Sequence, residues 1–157
     1  MTDTVTKLLD SYSISYRIEE HEAVYTVAEA TAVHGESIVK NLLLKEEKGN
    51  RFVFVIMRGD IRLDVKKLAT DLGLKKMQFA KPDILMEVLH VTPGSVSLFS
   101  LVGRNLESVS VVIDKAIVDE REVGFHPNDN TRSIFIYGRD IISFLEKSSI
   151  KYQLLHL

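Results

Sequence analysis

Two polar residues, Lys40 and Asn41, interrupt an apolar run that extends from Ile38 to Leu44. A buried ammonium group is costly without a partner, so Lys40 is expected to face a pocket. β alternation alone supports a second interpretation, in which Lys40 points to solvent between Val39 and Asn41. The amide of Asn41 both donates and accepts, so it either orients a ligand or supports a loop backbone.

Two predicted turn segments contain the other residues that could bind a ligand or take part in a reaction. In Thr92–Ser97 a Pro-Gly pair separates two predicted strands, and Gly94 is expected to adopt a positive φ that lets the backbone approach a ligand, or else to form an ordinary turn. His126 precedes a proline, which favours an extended backbone; its imidazole is either a structural hydrogen-bonding group or a general base. Asn130 and Thr131 are turn formers first and candidate contacts second.

Composition excludes several kinds of protein. The 157 residues contain no cysteine, so disulfides, thiolate metal sites and a cysteine nucleophile are excluded. The five histidines have no i, i+4 pair, and the chain lacks nucleotide-loop, zinc-protease, serine-hydrolase and EF-hand motifs. A net charge of −2 and a pI near 6.2 argue against non-specific coating of nucleic acid. No apolar run approaches the ~20 residues of a membrane span, and the N-terminus has no apolar signal core, so a cytoplasmic protein is expected.

The elements that must position these groups follow from hydrophobic periodicity. We find no repeat and no linker, which predicts a single domain over 1–157. Strands outnumber helices and occur in hairpins, which favours an α+β fold, a mixed sheet or barrel with helices packed outside. The predicted helices are the first dozen residues behind a Thr4 cap, Thr26–His34, a segment after Asp60, Pro82–Leu89 and a closing helix around Ile141–Leu145; the predicted strands are Tyr16–His21, Ser37–Glu46, Arg51–Arg58, Lys76–Ala80, Ser95–Leu101, Val109–Ile113, Val123–His126 and Ile134–Tyr137.

Three separated motifs, Val39–Leu42, Thr92–Phe99 and His126–Thr131, occur in an order and spacing that resemble the YbaK/ProX family of aminoacyl-tRNA editing deacylases, most closely its ProX branch. The resemblance implies a freestanding hydrolase of mischarged tRNA, in this branch typically alanine attached to the proline tRNA. It implies a six- to seven-stranded, mixed, barrel-like sheet with flanking helices, and no metal or organic cofactor. The implied partners are the 3′ acceptor end of aminoacyl-tRNA and, transiently, prolyl-tRNA synthetase; no membrane is involved, and the oligomeric state stays open.

The resemblance also assigns roles to residues. It implies that Lys40 stabilises the tetrahedral intermediate, that Gly94 and Ser95 supply backbone amides for the oxyanion, and that His126 shapes the pocket or acts as a base. The implied substrate contacts are Asn41, Ser97, Phe99, Asn130 and Thr131. Phe79, Phe99 and Phe125 are expected in the core or the pocket wall, and the basic residues Arg58, Arg62, Lys66, Lys67, Lys75 and Lys76 form either a solvated face or a surface for the acceptor stem.

The chain departs from the family pattern at three places. Ser133 stands where many ProX-like members have Thr. Lys81–Pro82 stands where a Ser-capped helix start is commoner, and His90 stands where Gly is usual. Two other functions stay open. One is deacylation of Cys-tRNA(Pro), although that branch tends to carry a Gly-Gly-Ile-Ser-Pro loop and to lack the His-Pro element. The other is a non-catalytic module of the same fold that senses an amino acid or an aminoacyl-tRNA.

Overall fold

The computed structural model describes residues 2–20, 38–125 and 131–157. Within them the helices are α1 (Thr2–Ser11), α2 (Val65–Asp71), α3 (Pro82–Leu89), α4 (Lys115–Val118) and α5 (Gly138–Lys147). The strands are β1 (Arg17–Glu20), β2 (Val39–Glu46), β3 (Phe52–Arg58), β4 (Met77–Phe79), β5 (Val109–Asp114), β6 (Val123–Phe125), β7 (Arg132–Ile136) and β8 (Gln153–Leu155). The predicted helix Thr26–His34 lies outside the described residues.

The strands form two sheets that β2 connects. The larger sheet has the order β4-β2-β3-β5-β8, in which β2 is antiparallel to β3 and β4 while β3, β5 and β8 are parallel. The smaller sheet has the order β1-β7-β6. A parallel bridge between Ile38 and Gly124 joins the beginning of β2 to β6.

The predicted mixed α/β class is confirmed, but the described residues form eight strands in two sheets and close no barrel. The reason lies at the outer edge of β2, which is divided between two partners. Its last residues, Leu44 to Glu46, pair with β4, whereas Ile38 just before its start bridges to β6. One bridge cannot continue a ladder, so the sheets stay distinct.

Side chains that alternate along β2 enter two separate apolar clusters, as the twofold period of a strand requires. Val39 and Leu43 pack in the larger cluster, which also receives Leu9 from α1 and Phe144 from α5. Leu42 and Leu44 contact the smaller cluster, which α2 covers with Leu68. Both faces of the larger sheet are therefore buried, in agreement with the nearly continuous apolar sequences of β2 and β3. None of the described helices combines the length and apolarity needed to span a membrane.

The predicted strand Ser95–Leu101 is wrong. Pro93–Ser95 and Leu98–Leu101 are 3₁₀ turns, and the latter begins with a reciprocal cap in which the Ser97 N–H donates to Ser100 Oγ at 3.0 Å. Such local serine bonds compete with strand pairing. Gly94 does not have a positive φ, which among the described glycines is found at Gly73 and Gly103.

Other differences are smaller. Thr4 lies inside α1, which begins at Thr2, so Thr4 is not its cap. Phe79 is 54% exposed on an edge strand, so its placement in the core or pocket wall is wrong. The short elements α4 and β8 were not predicted, because three or four residues are too few to establish a period.

The amino end of α3 offers a test of helix capping. Lys81 occupies the N-cap with an extended backbone and makes no side-chain hydrogen bond to the helix. The Ile84 N–H already donates to the Lys81 carbonyl and Pro82 has no N–H, so Lys81→Ser supplies an acceptor for the Asp83 N–H, and we expect the free energy of unfolding to rise by about 1 kcal/mol. Urea denaturation measures the change. Lys75→Ser, at an exposed lysine outside any helix, is the control; equal effects of the two substitutions would contradict a capping origin.

Candidate active site

The carboxyl end of β6 is the point at which the three predicted motifs approach one another. Ile38, two residues before Lys40, bridges to Gly124 in β6. A Cβ built on Gly124 would lie 2.5 Å from Ile38 Cδ1 and 2.6 Å from Phe135 Cε1, so any larger residue here would require the Ile38 side chain and the Phe135 ring to shift. Gly124 was not predicted as a site residue, although a glycine within the apolar strand Val123–Phe125 is a signal of close packing.

Phe99 attaches the second motif to the same strand. Its ring lies edge-on to Phe125, with centroids 5.8 Å apart, and edge-on to Phe144 at 5.4 Å. Phe99 and Phe125 are buried, which confirms the expectation that they belong to the core or a pocket wall. This contact anchors the Thr92–Phe99 segment beside the end of β6, whose last residue precedes His126 in the sequence.

The third motif connects two paired strands. β6 and β7 are antiparallel, with Phe125 opposite Ile134, and residues 126–131 separate the two strands in the sequence. His126 and Asn130 lie outside the described residues, and their assigned roles stay predictions. Thr131 is exposed at the start of β7. The described end of β6 therefore lies next to the beginning of β2.

Lys40 is half-buried, and its amine donates a hydrogen bond to the Ile61 carbonyl at 2.6 Å. The amine is thus held against the loop that follows β3. Alternation places Lys40 on the face of Leu42 and Leu44, over the smaller cluster. Within the described chain, no hydrogen bond joins Lys40 to Gly94 or Ser95; these two residues are half-buried, and their neighbour Val96 packs against the larger cluster.

Asn41 lies on the opposite face from Lys40, between Val39 and Leu43. Its Oδ1 is buried and has no hydrogen-bond partner among the residues that the structure describes. Buried polar atoms are rarely left unpaired, so this acceptor is available to a donor from outside the described residues. Ser97, fully buried, and Phe99 belong to the same side of the sheet.

The backbone amides of the Pro-Gly turn are not equivalent. The Ser95 N–H donates to the Thr92 carbonyl at 3.0 Å and is already used. Gly94 is at the second position of the 3₁₀ turn, where the N–H has no acceptor within the turn. Of the two predicted oxyanion donors, the structure therefore leaves the Gly94 amide for a ligand. The described residues contain no group of three His, Asp or Glu side chains arranged to hold a metal ion.

Comparison of the chain with known proteins identifies its family. The aminoacyl-tRNA editing domain family matches residues 21–144, which include all three motifs. The chain belongs to this family. The predicted resemblance and the predicted aminoacyl-tRNA deacylase activity are thereby confirmed for this editing domain.

Relatives of the editing domain cover nearly the whole chain. The prolyl-tRNA editing protein ProX of Acetoanaerobium sticklandii is 33% identical over 152 residues, 95% of this chain and 93% of that protein. The prolyl-tRNA synthetase associated domain-containing protein 1 of Danio rerio is 31% identical and covers 82% of this chain and 72% of its own. A crystal structure of a candidate trans-editing enzyme for prolyl-tRNA synthetase shares the fold, with a TM-score of 0.73, 21% identity, and coverage of 98% of this chain and 94% of that one.

Gly124 provides a test of how β6 positions the site of the editing domain. We expect Gly124→Ala to lower the free energy of unfolding by about 1–3 kcal/mol, because its methyl group overlaps Ile38 and the Phe135 ring. It should also displace the start of β2 and reduce deacylation at temperatures where the protein stays folded. Adding Ile38→Val removes the overlapping Cδ1 atom and should restore part of both losses. Full stability of Gly124→Ala by thermal denaturation would show that the close approach is not required.

Proposed function

We propose that the protein is a freestanding trans-editing hydrolase that removes alanine from Ala-tRNA(Pro). The observation that carries the proposal is the convergence of the three motif segments on the end of β6, through the Ile38–Gly124 bridge and the Phe99–Phe125 contact. Two relatives support the choice of proline tRNA, since their names refer to prolyl-tRNA editing and to prolyl-tRNA synthetase. A transient contact with that synthetase and a cytoplasmic location belong to the same proposal.

The proposed reaction is hydrolysis of the aminoacyl ester by water. The water oxygen bonds to the carbonyl carbon, and the carbonyl oxygen becomes an oxyanion. The bond to the ribose oxygen then breaks, that oxygen takes a proton, and free alanine and tRNA leave. The substrate's own neighbouring ribose hydroxyl helps to activate the water, because the chain offers no evident nucleophile.

In this mechanism the protein contributes position and charge. The Lys40 amine stabilises the oxyanion, and a preorganised donor of this kind is worth about 3 kcal/mol in the barrier, whereas the Gly94 N–H donates to another acceptor of the substrate. Asn41, Ser97 and Phe99 contact or enclose the aminoacyl group together with Asn130 and Thr131, while Ser95 supports the turn. His126 orients the amino acid, or acts as a general base.

Size provides the proposed selectivity. A synthetase that activates proline distinguishes alanine poorly, because a smaller side chain fits a larger pocket at a cost of only a few kcal/mol. A second site that is large enough for alanine and too small for the proline ring destroys the error and spares the correct product. This arrangement is the second sieve of editing.

The segment from Arg58 to Lys76 is proposed to contact the acceptor stem, since it carries six basic and three acidic side chains in a chain of net charge −2. Lys66 and Lys67 are exposed on α2, and neither makes an ion pair in the described part of the chain. Reversing both charges to Glu should raise KM for Ala-tRNA(Pro) several-fold with little change in kcat, because phosphate contacts add binding without altering the ester chemistry. Lys7→Glu on α1 is the control, and an equal KM effect there would contradict a localised surface.

The proposed function is tested by incubating the protein with a panel of aminoacyl-tRNAs and following loss of the ester. We expect Ala-tRNA(Pro) to be hydrolysed fastest, Pro-tRNA(Pro) to be spared, and EDTA to have no effect. Faster loss of the ester in Cys-tRNA(Pro) would show that cysteine, and not alanine, is the amino acid removed. Binding of aminoacyl-tRNA without turnover would favour the sensing module, and loss of activity in EDTA would overturn the metal-free mechanism.

A further inference from the structure

A surface cavity of about 270 Å³ lies beside the start of β2, on the side of Val39 and Arg58. Drug-sized ligands occupy cavities of roughly 300–1,000 Å³, so this one suits a smaller molecule. Its charged lining consists of Arg58, Asp60 and Glu120. Its apolar wall is formed by four aliphatic side chains, Ile38, Val39, Ile117 and Val123.

The guanidinium of Arg58 has unused hydrogen-bonding capacity. Its Nε has no hydrogen-bond partner in the described part of the chain and lies 3.7 Å from Asp60 Oδ1 and 3.9 Å from Asp114 Oδ2, beyond hydrogen-bond range. Asp114 is only 2% exposed and already accepts bonds from the Ala116 and Arg58 backbone N–H groups. The buried carboxylate therefore fixes the base of Arg58, while the side chain, 42% exposed, can present its terminal nitrogens to a planar anion.

Two carboxylates of the cavity also have free capacity. Asp60 makes one long ion pair, with Arg58, and within the described part of the chain the carboxylate of Glu120 makes no ion pair. A ligand with only a negative charge would be repelled by both carboxylates, and one with only a positive charge would meet the guanidinium. A small zwitterion satisfies both kinds of group.

We propose that this cavity binds a free α-amino acid with a small aliphatic side chain. Its carboxylate lies on the Arg58 guanidinium, its ammonium lies between Asp60 and Glu120, and its side chain contacts the aliphatic wall. Hydrolysis of an aminoacyl ester releases such a molecule, so the site would hold the product beside the strand that carries Lys40. The choice of alanine rests on the proposed function, whereas the binding itself does not.

The proposal is tested by titrating the full-length protein with L-alanine and following backbone amide shifts by NMR. We expect saturable shifts around Arg58, and affinities about tenfold lower for L-alaninamide, which lacks the carboxylate, and for N-acetyl-L-alanine, which lacks the ammonium. Equal affinity for alaninamide, or no saturable shift with alanine, would overturn the proposal. Because no tRNA is present, this result is independent of whether the protein deacylates Ala-tRNA(Pro).

Substitutions locate the ligand. Arg58→Gln should lower alanine affinity about tenfold or more, because the charge-assisted pair with the ligand carboxylate is lost. Arg51→Gln, at an exposed arginine at the other end of β3, is the matched control and should leave the affinity unchanged. Should Arg58→Gln fail to fold, Glu120→Gln serves instead, since its exposed carboxylate makes no ion pair in the described structure. Unchanged affinity in the folded variant would exclude this cavity as the alanine site.

Discussion

Replacing Lys40 with alanine is expected to lower the rate of Ala-tRNA(Pro) deacylation by about 10²–10³-fold, the effect of losing one preorganised oxyanion donor. The fold should survive, because the half-buried side chain contributes a single hydrogen bond, to the Ile61 carbonyl. Single-turnover measurement of ester loss isolates the chemical step from tRNA release. Circular dichroism and thermal denaturation check that the variant is folded.

Two further lysine variants make this result specific. Lys48→Ala removes an exposed lysine in the turn between β2 and β3, and should leave the deacylation rate unchanged. Lys40→Arg keeps the charge but alters its geometry, because the planar guanidinium cannot replace a compact ammonium at close range, and should recover only part of the activity. If Lys40→Ala deacylated Ala-tRNA(Pro) at the wild-type rate, the lysine would have no role in the reaction.

Phe99→Ala is expected to lower the free energy of unfolding by about 3–5 kcal/mol, as for other large aromatic side chains deleted from a core. Phe99 is 4% exposed and packs edge-on against two other phenylalanines, Phe125 and Phe144. The cavity left behind would also release the Thr92–Phe99 segment from the end of β6. Urea denaturation measures the stability, and deacylation measured below the unfolding transition reports the displaced segment.

Phe79→Ala is the matched control, because the same atoms are deleted from a side chain that is 54% exposed. We expect this substitution to change the free energy of unfolding by less than about 1 kcal/mol. Phe99→Leu, which retains much of the volume, should lie between the two. Similar losses for Phe99→Ala and Phe79→Ala would be incompatible with the different burial of the two rings.

Much of the fold could be predicted from local patterns. Pro82 at the first helical position and an apolar face that ends before His90 predicted α3 with its observed bounds, and His90 takes the left-handed conformation that glycine usually supplies there. The continuous apolar run of β3 likewise predicted a strand buried on both faces. These signals are contained within one element and do not depend on its neighbours.

Features set by tertiary contacts could not be predicted in this way. Ser95–Leu101 alternates like a strand, but the Ser97–Ser100 cap and burial of Phe99 favour a 3₁₀ turn. In the candidate site, Lys40 could be identified as a charged residue within an apolar run. Its acceptor, the Ile61 carbonyl, lies 21 residues further along the chain and has no sequence signature. Alternation separates the Lys40 and Asn41 side chains, and only coordinates show which cluster each one adjoins.

The division of β2 between two partners has a mechanical consequence for the enzyme. β4 holds one end of the strand and β6 the other, so neither sheet can separate from its neighbour without straining the strand that carries the lysine. The proposed catalytic role of Lys40 and the cooperativity of unfolding are thereby linked in one stretch of backbone.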